Sequence, residues 1–367
     1  MMLRKFVIPV FICACMTAFT FAQSFKKSPT QKENISLAGS HGKLVTESIE
    51  STILKDNLVG LDPKRMVKVF LPRGYAQSGK SYPVVYYLHS LFWSPEKMFQ
   101  DGNLQNLLER ATDSDVTKEF IFVAADYSTK TTGSFYENSS VSGRWLDFTV
   151  QELIPFIDSH FRTIANRDSR AVVGDYMGGR GALQLAMLNS NVFSVVYAMH
   201  PVATGTGYLP WANNGVDWKK IYQARSNADL EGGQVFIVAM HQAFLPNPKR
   251  PPFYCDFYME PENGEPVLST DNVIKTQRNF LLDRTLEHSA ANLKTMRGIA
   301  FDWARYDPVQ DHVYSARSFT GKLDDLGIEH EAEEYRGNPW NKNWTADGRF
   351  YTRVLPFLAK HLSFDAP

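Results

Sequence analysis

From Leu44 to Leu54, and again from Met66 to Leu71, apolar and polar residues alternate, with the turn formers Lys55-Asp56-Asn57 and Gly60 to Pro63 between them. Alternation with period two puts every second side chain on one face, so these stretches predict two or three antiparallel strands at one sheet edge. Pro83 to Leu88 is apolar throughout, as a central strand covered on both faces must be. Further on, a helix is expected at Leu104 to Thr112 and a strand at Phe120 to Ala124. Phe148, Leu153, Phe156 and Ile157 then recur at helical spacing within Trp145 to Phe161. A β-branched run at Ala171 to Val173, a small-residue helix at Arg180 to Met187 and a strand at Ser194 to Ala198 come next. The chain ends on strand Gly298 to Trp303, helix Asp311 to Leu326, strand His330 to Tyr335 and helix Asp347 to Leu362. Strands alternating with helices predict an α/β fold, with a mainly parallel central sheet flanked by helices on both faces.

Pro201 to about Arg297 interrupts the alternation. Val235 to Met240 reads as one more strand of the sheet, Pro246 to Glu265 is proline-rich and irregular, and Val273 to Met296 reads as helical. Long connections at the C-terminal ends of parallel strands build clefts. Residues 203 to 297 are therefore expected to form a cap inserted within a domain spanning 44–364.

The run Gly174-Asp175-Tyr176-Met177-Gly178-Gly179 joins the strand before it to the helix after it. Glycines two residues either side of a central position mark a nucleophile elbow, a turn too tight for side chains at those places. With Gly181-Ala182-Leu183, Gly133-Ser134-Phe135-Tyr136, Trp145 to Phe161, Val192-Phe193 and Tyr197-Ala198, the chain resembles the esterase D, feruloyl esterase and antigen 85 group of the α/β-hydrolase superfamily over roughly residues 60 to 362. The resemblance implies an α/β-hydrolase fold, a serine at the elbow, a catalytic acid matching Asp307, and a histidine after the last strand. It also implies oxyanion donors on the backbone of Leu91 and Met177.

This chain departs from that pattern. The elbow position holds Tyr176. The segment after the last strand reads Arg336-Gly337-Asn338-Pro339-Trp340, which puts Asn338 or Pro339 where the histidine belongs. The oxyanion loop reads His89-Ser90-Leu91 in place of the family's His-Gly-Gly. Neither an amide nor a proline takes a proton from a nucleophile at neutral pH. The family's covalent hydrolysis is therefore not expected, and the cleft is expected to bind a carbohydrate or an aromatic ester, a small-molecule or oligosaccharide ligand. The alternative is an active carboxylic-ester hydrolase or acyltransferase that uses Tyr176 with His89 or His200 as base. Trp93, Trp303, Tyr306 and Trp340 are expected around the cleft with Asp175, Tyr176, His89 and His200, and Trp211, Trp218 and Trp344 belong to the same group of loops. Large aromatics filling a former pocket would give the same sequence pattern.

No metal-ligand spacing is present, so neither a metal nor another cofactor is expected; Asp311-His312 reads as a helix start. Lys plus Arg and Asp plus Glu are equal at 39 each, which gives nucleic acid nothing to bind by net charge. At the N-terminus Arg4 and Lys5 precede an apolar run from Phe6 to Thr20 and a Thr20-Phe21-Ala22 cleavage pattern. This predicts a signal peptide at 1–22, a polar leader at 23–43, no stable membrane span after cleavage, and a periplasmic or secreted product. A lipid-bearing Cys15 is the less favoured alternative. Cys255 is the one cysteine outside the signal and is expected to be a half-buried loop residue.

Overall fold

The computed structural model describes residues 41–205, 215–340 and 344–365. The expected signal segment and most of the expected leader lie outside the described residues, as does Trp211. Eight strands form one sheet: β1 Lys43–Glu50, β2 Lys64–Leu71, β3 Val84–Leu88, β4 Ile121–Ala125, β5 Arg170–Asp175, β6 Val195–Met199, β7 Gly298–Ala304 and β8 Glu331–Tyr335. Their spatial order is β1-β2-β4-β3-β5-β6-β7-β8. β1 pairs antiparallel with β2, and β2 antiparallel with β4, as the edge alternation predicts. Every other pairing is parallel.

The central strands are buried along their whole length, which is why Val84–Leu88 carries no alternation. Adjacent residues feed opposite layers. Tyr86, Val172 and Val196 join one apolar cluster, while Tyr87, Val173 and Tyr197 join the other across the sheet. In register, Leu88 lies opposite Gly174, and Met199 lies opposite both Asp175 and Asp302. The C-terminal ends of β3, β5, β6 and β7 therefore finish side by side, where ligands bind in open parallel sheets.

Two helices carry proline inside an apolar pattern. Trp145 to His160 winds as helix Trp145–Asp147, π-helix Phe148–Leu153 and helix Ile154–His160. Pro155 lacks the N–H that a regular ladder needs, and the wider turn before it absorbs that loss. The last helix uses the same device before Pro356, so it begins at Phe350 rather than at Asp347.

The segment expected as strand Val235 to Met240 is a helix. After α1, Met177–Leu188, comes α2, Gly233–Phe244, in which nine residues from Gln234 to Phe244 are buried. A short apolar run buried on all sides has neither period, and its length decides for helix. The irregular stretch after it includes a hairpin of Met259–Glu262 with Glu265–Leu268, and the expected helical stretch is two helices, α3 Thr270–Phe280 and α4 Leu282–Leu293. Helix α5, Gln310–Asp325, follows β7. Among the described residues no helix is long and apolar enough to cross a membrane. Cys255 is a buried free thiol whose pKa is pushed well up by burial.

Arg180 on α1 ties this insertion to the sheet. Its side chain is fully buried. Nε donates to the Phe280 carbonyl at 2.8 Å, Nη1 to Gln184 Oε1 at 2.7 Å and the Phe135 carbonyl at 3.3 Å, and Nη2 to Glu137 Oε1 at 2.7 Å and the Asn279 carbonyl at 3.2 Å. All five guanidinium donors are used. Burial raises the Glu137 carboxyl and Arg180 opposes the shift. Arg180→Met should destabilise the fold by about 3–5 kcal/mol in urea unfolding, because it leaves Glu137 buried without its counterion. Adding Glu137→Gln should recover part of that loss.

Candidate active site

The elbow keeps its backbone. Tyr176 has φ 55° and ψ −113°, a strained conformation for a side chain of its size. It holds because the turn is packed on every side: a β-carbon on Gly174 would collide with the Gly178 carbonyl, and one on Gly178 with the Leu88 carbonyl. The Tyr176 N–H donates to the Met199 carbonyl at 2.9 Å, pinning the elbow to β6.

Leu91 and Met177, the two oxyanion positions, line one small cavity of about 170 Å³ with Tyr176, Val202, Ala203, Phe236, Phe280, Val309, Asp311 and His312. Among the described residues neither the Leu91 nor the Met177 N–H has an acceptor. Ser90 does not sit at a positive φ, so its β-carbon brings no left-handed strain to this loop. Asp175 accepts from the Tyr87 hydroxyl at 2.8 Å and from the Ser90 N–H, so it braces the oxyanion loop from the opposite face of the sheet. Asp175 is therefore a brace and not a wall of the cleft.

At the centre stands Asp307, in the loop after β7 and 1 % exposed. Its Oδ2 lies 2.6 Å from His200 Nε2 and 2.8 Å from His312 Nδ1, and its Oδ1 accepts the Val309 N–H at 2.8 Å. Burial alone would raise this carboxyl, but the hydrogen bonds from His200 and His312 outweigh it and hold the group well below the usual carboxylate range. The carboxylate is ionised and can only accept.

That fixes the protons. The Ala304 N–H donates to His200 Nδ1 at 2.8 Å, so Nδ1 is bare and Nε2 carries the proton given to Asp307. Burial holds the His200 pKa down, so this imidazole stays neutral. His312 uses the other nitrogen: Nδ1–H donates to Asp307, and Nε2 has no partner among the described residues. The Tyr176 hydroxyl lies 3.1 Å from the same Nδ1. Its ring stacks on His200, with centroids 5.3 Å apart and planes 15° apart, and meets Trp340 at 4.5 Å. Burial, the Asp307 charge and a hydrogen bond to that carboxylate all push the phenol well above its ordinary pKa. Tyr176 is held here as a neutral phenol.

Neither histidine named from the sequence as a base for Tyr176 can serve. His89 Nδ1 bonds the Ser90 carbonyl at 2.9 Å and Nε2 accepts the Tyr127 N–H at 3.1 Å. Both nitrogens of His200 are likewise engaged. The residue that does approach is His312, which sequence reading took for a helix start. Its signal was a histidine five residues after the acid position, just inside a helix that the topology returns across the cleft.

At the family's histidine position, Asn338 accepts the Trp340 N–H at 2.9 Å and Pro339 is buried. The segment delivers the Trp340 ring onto Tyr176 instead of a base. Trp340 and Tyr306 are more than half exposed and Trp93 is 40 % exposed, with the Tyr306 hydroxyl accepting from Arg336. Trp303 is not in the cleft: it is 5 % exposed, packs on Phe301, and gives its N–H to Glu334 at 3.1 Å. Trp218 is packed within the insertion against Tyr258, and Trp344 against Tyr87 and Phe350. Trp303 and Trp218 therefore fill core, and the partly buried Trp344 packs against it.

His200, Asp307 and His312 bring donor atoms within 4.8 Å of one another, a grouping no sequence spacing reveals. A metal-bound imidazole needs an acceptor on its far nitrogen. His200 has a donor there, the Ala304 N–H, so binding a cation at Nε2 would require an imidazolate or the loss of that bond. The set is arranged around shared protons.

Burial raises the Asp175 carboxyl to about 6 despite the Tyr87 and Ser90 hydrogen bonds. Folded protein therefore keeps a proton that the unfolded chain releases near pH ~3.9, and stability should fall as pH rises from about 4 to 6. The gap corresponds to about 3 kcal/mol. Asp175→Asn should flatten that window in denaturant midpoints measured across the range.

Residues 60–347 match the family model described as Putative esterase. Esterase Rv1288 of Mycobacterium tuberculosis (strain ATCC 25618 / H37Rv) is 36% identical over 124 residues, 33% of this chain. The match spans only 25% of the length of that relative. A ferulic acid esterase structure superposes with a TM-score of 0.59 at 18% identity, covering 88% of this chain and 99% of that one. An S-formylglutathione hydrolase from Staphylococcus aureus gives 0.55 at 12% identity, covering 87% and 99%. At these identities the structures speak for the fold. With the elbow, the sheet order and the family match over most of its length, this chain belongs to the family described as Putative esterase and has the α/β-hydrolase fold.

Proposed function

We propose that this chain is an esterase-family protein that binds an ester ligand in the old cleft and forms no acyl-enzyme. The observation that carries the reading is the elbow itself: a buried phenol held against an ionised Asp307, the histidine neighbour of its oxygen at 3.1 Å, His312, presenting the proton-bearing Nδ1. Triad chemistry needs a nucleophile that a neighbouring base can deprotonate. Removing serine or histidine alone costs several orders of magnitude, and here both positions are replaced.

What supports retained binding is the apolar cavity beside two unengaged backbone donors. Its lining suits a short acyl or planar aromatic group, and the donors suit a carbonyl oxygen. The exposed faces of Trp340, Trp93 and Tyr306 would stack on a sugar or phenolic ring outside the cavity. An aromatic ester of a carbohydrate joins both features. The solved ferulic acid esterases supply the same ligand class by likeness of fold. The N-terminal pattern of positive residues, apolar run and small-residue site supports export. Tyr176 as nucleophile with His89 or His200 is disfavoured, since all four ring nitrogens are engaged elsewhere.

Purified protein should quench its tryptophan fluorescence saturably with methyl ferulate or a feruloylated oligosaccharide, and mass spectrometry should find no adduct after fluorophosphonate treatment. Trp340→Ala should weaken binding about 3- to 10-fold, as loss of one stacking face implies. A fluorophosphonate adduct, or no saturable binding, contradicts the reading.

A further inference from the structure

We propose that His312, oriented by Asp307, is a general base that activates water directly on an ester carbonyl held in the cavity. The inference rests on the ligand class proposed above and adds chemistry to it. Asp307 fixes the imidazole at 2.8 Å with the proton on Nδ1, which leaves Nε2 bare. His312 forms part of the wall of the same cavity as Leu91 and Met177, so the base and the two backbone donors share one space. This is the acid–histidine half of a triad rebuilt from the start of α5, five residues after the acid, with no elbow nucleophile for it to serve. Tyr176 fills the nucleophile's place and its hydroxyl, 3.1 Å from His312 Nδ1, packs the proton-bearing edge of the ring.

The step balances without further reagents. His312 Nε2 takes a proton from water as the water oxygen bonds to the carbonyl carbon. The oxyanion is received by the Leu91 and Met177 N–H groups. The carbon–oxygen bond to the leaving alcohol then breaks, and that oxygen takes the proton back from Nε2. A carboxylic acid and an alcohol leave, and the imidazole is restored. A phenolic leaving group fits best, because it departs with little need of a strong acid. Asp307 acts through His312 and is a positioning residue.

The groups facing His312 are Asp307 from the loop after β7, Tyr176 from the elbow, His200 from the end of β6 and Asp311 on its own helix. Asp307 remains ionised, Tyr176 stays a phenol, and His200 stays neutral.

The test is hydrolysis of 4-nitrophenyl acetate by the full chain at one fixed pH. Wild type should exceed the buffer rate with linear progress and no burst. His312→Gln should lose about 10²-fold or more of that rate. His312→Ala should regain rate in added imidazole, which a merely structural role would not produce. Asp307→Asn should lower the rate while methyl ferulate binding persists, a split that loss of the fold would not give. Unfolding midpoints and methyl ferulate binding, read by tryptophan fluorescence, report whether each variant is folded. A folded, binding-competent His312→Gln with wild-type turnover, or wild type at the buffer rate, overturns the inference and leaves the binding reading intact. A burst of one equivalent with a fluorophosphonate adduct overturns both.

Discussion

The site depends on one buried negative charge. The Asp307 carboxylate has lost its water, and an ion so placed is tolerated only when several donors replace it. Here the donors come from the strand end carrying His200, from the first turn of α5 carrying His312, and from the adjacent backbone at Val309. The carboxylate thereby sets the proton on each ring, keeps the Tyr176 phenol protonated, and holds three chain segments in one place.

Around that charge the family's backbone persists while its side chains change. Gly174 and Gly178 still permit a turn that no other residue fits, and Leu91 and Met177 still line one cavity. Bound ligand would meet an oxyanion site without a serine. The strained turn at Tyr176, whose φ is 55°, is kept by the packing around it. Meanwhile Trp340 occupies the space over the elbow that a histidine-bearing loop would otherwise enter.

Much of the fold was legible because each strand announces its surroundings. Alternation marked the edge pair β1 and β2, and unbroken apolar runs marked β3 and the strands beside it. Val235 to Met240 was misread because a helix buried on all sides has no polar face to reveal its period. Tyr176 was legible from the elbow spacing, and Asp307 and the missing histidine from the positions that the family resemblance implies after the last strands. His312 was not, because its partnership with Asp307 depends on where α5 begins, and that is set by tertiary packing. Trp303, Trp218 and Trp344 were placed near the cleft by chain position, but a tryptophan near a strand end can as readily turn into core, as their packing on Phe301, Tyr258 and Phe350 does.

The most direct test of the central claim is the proton position on the two histidines that share Asp307. Nitrogen-15 NMR of histidine-labelled protein at about pH 8, above the ordinary histidine range, reads each ring's tautomer. The two should be opposite: His200 protonated on Nε2 and bare on Nδ1, His312 protonated on Nδ1 and bare on Nε2. A His312 ring protonated on Nε2, with Nδ1 accepting from Tyr176, would contradict the account, because the carboxylate would then neither orient that ring nor leave a free nitrogen for the cavity.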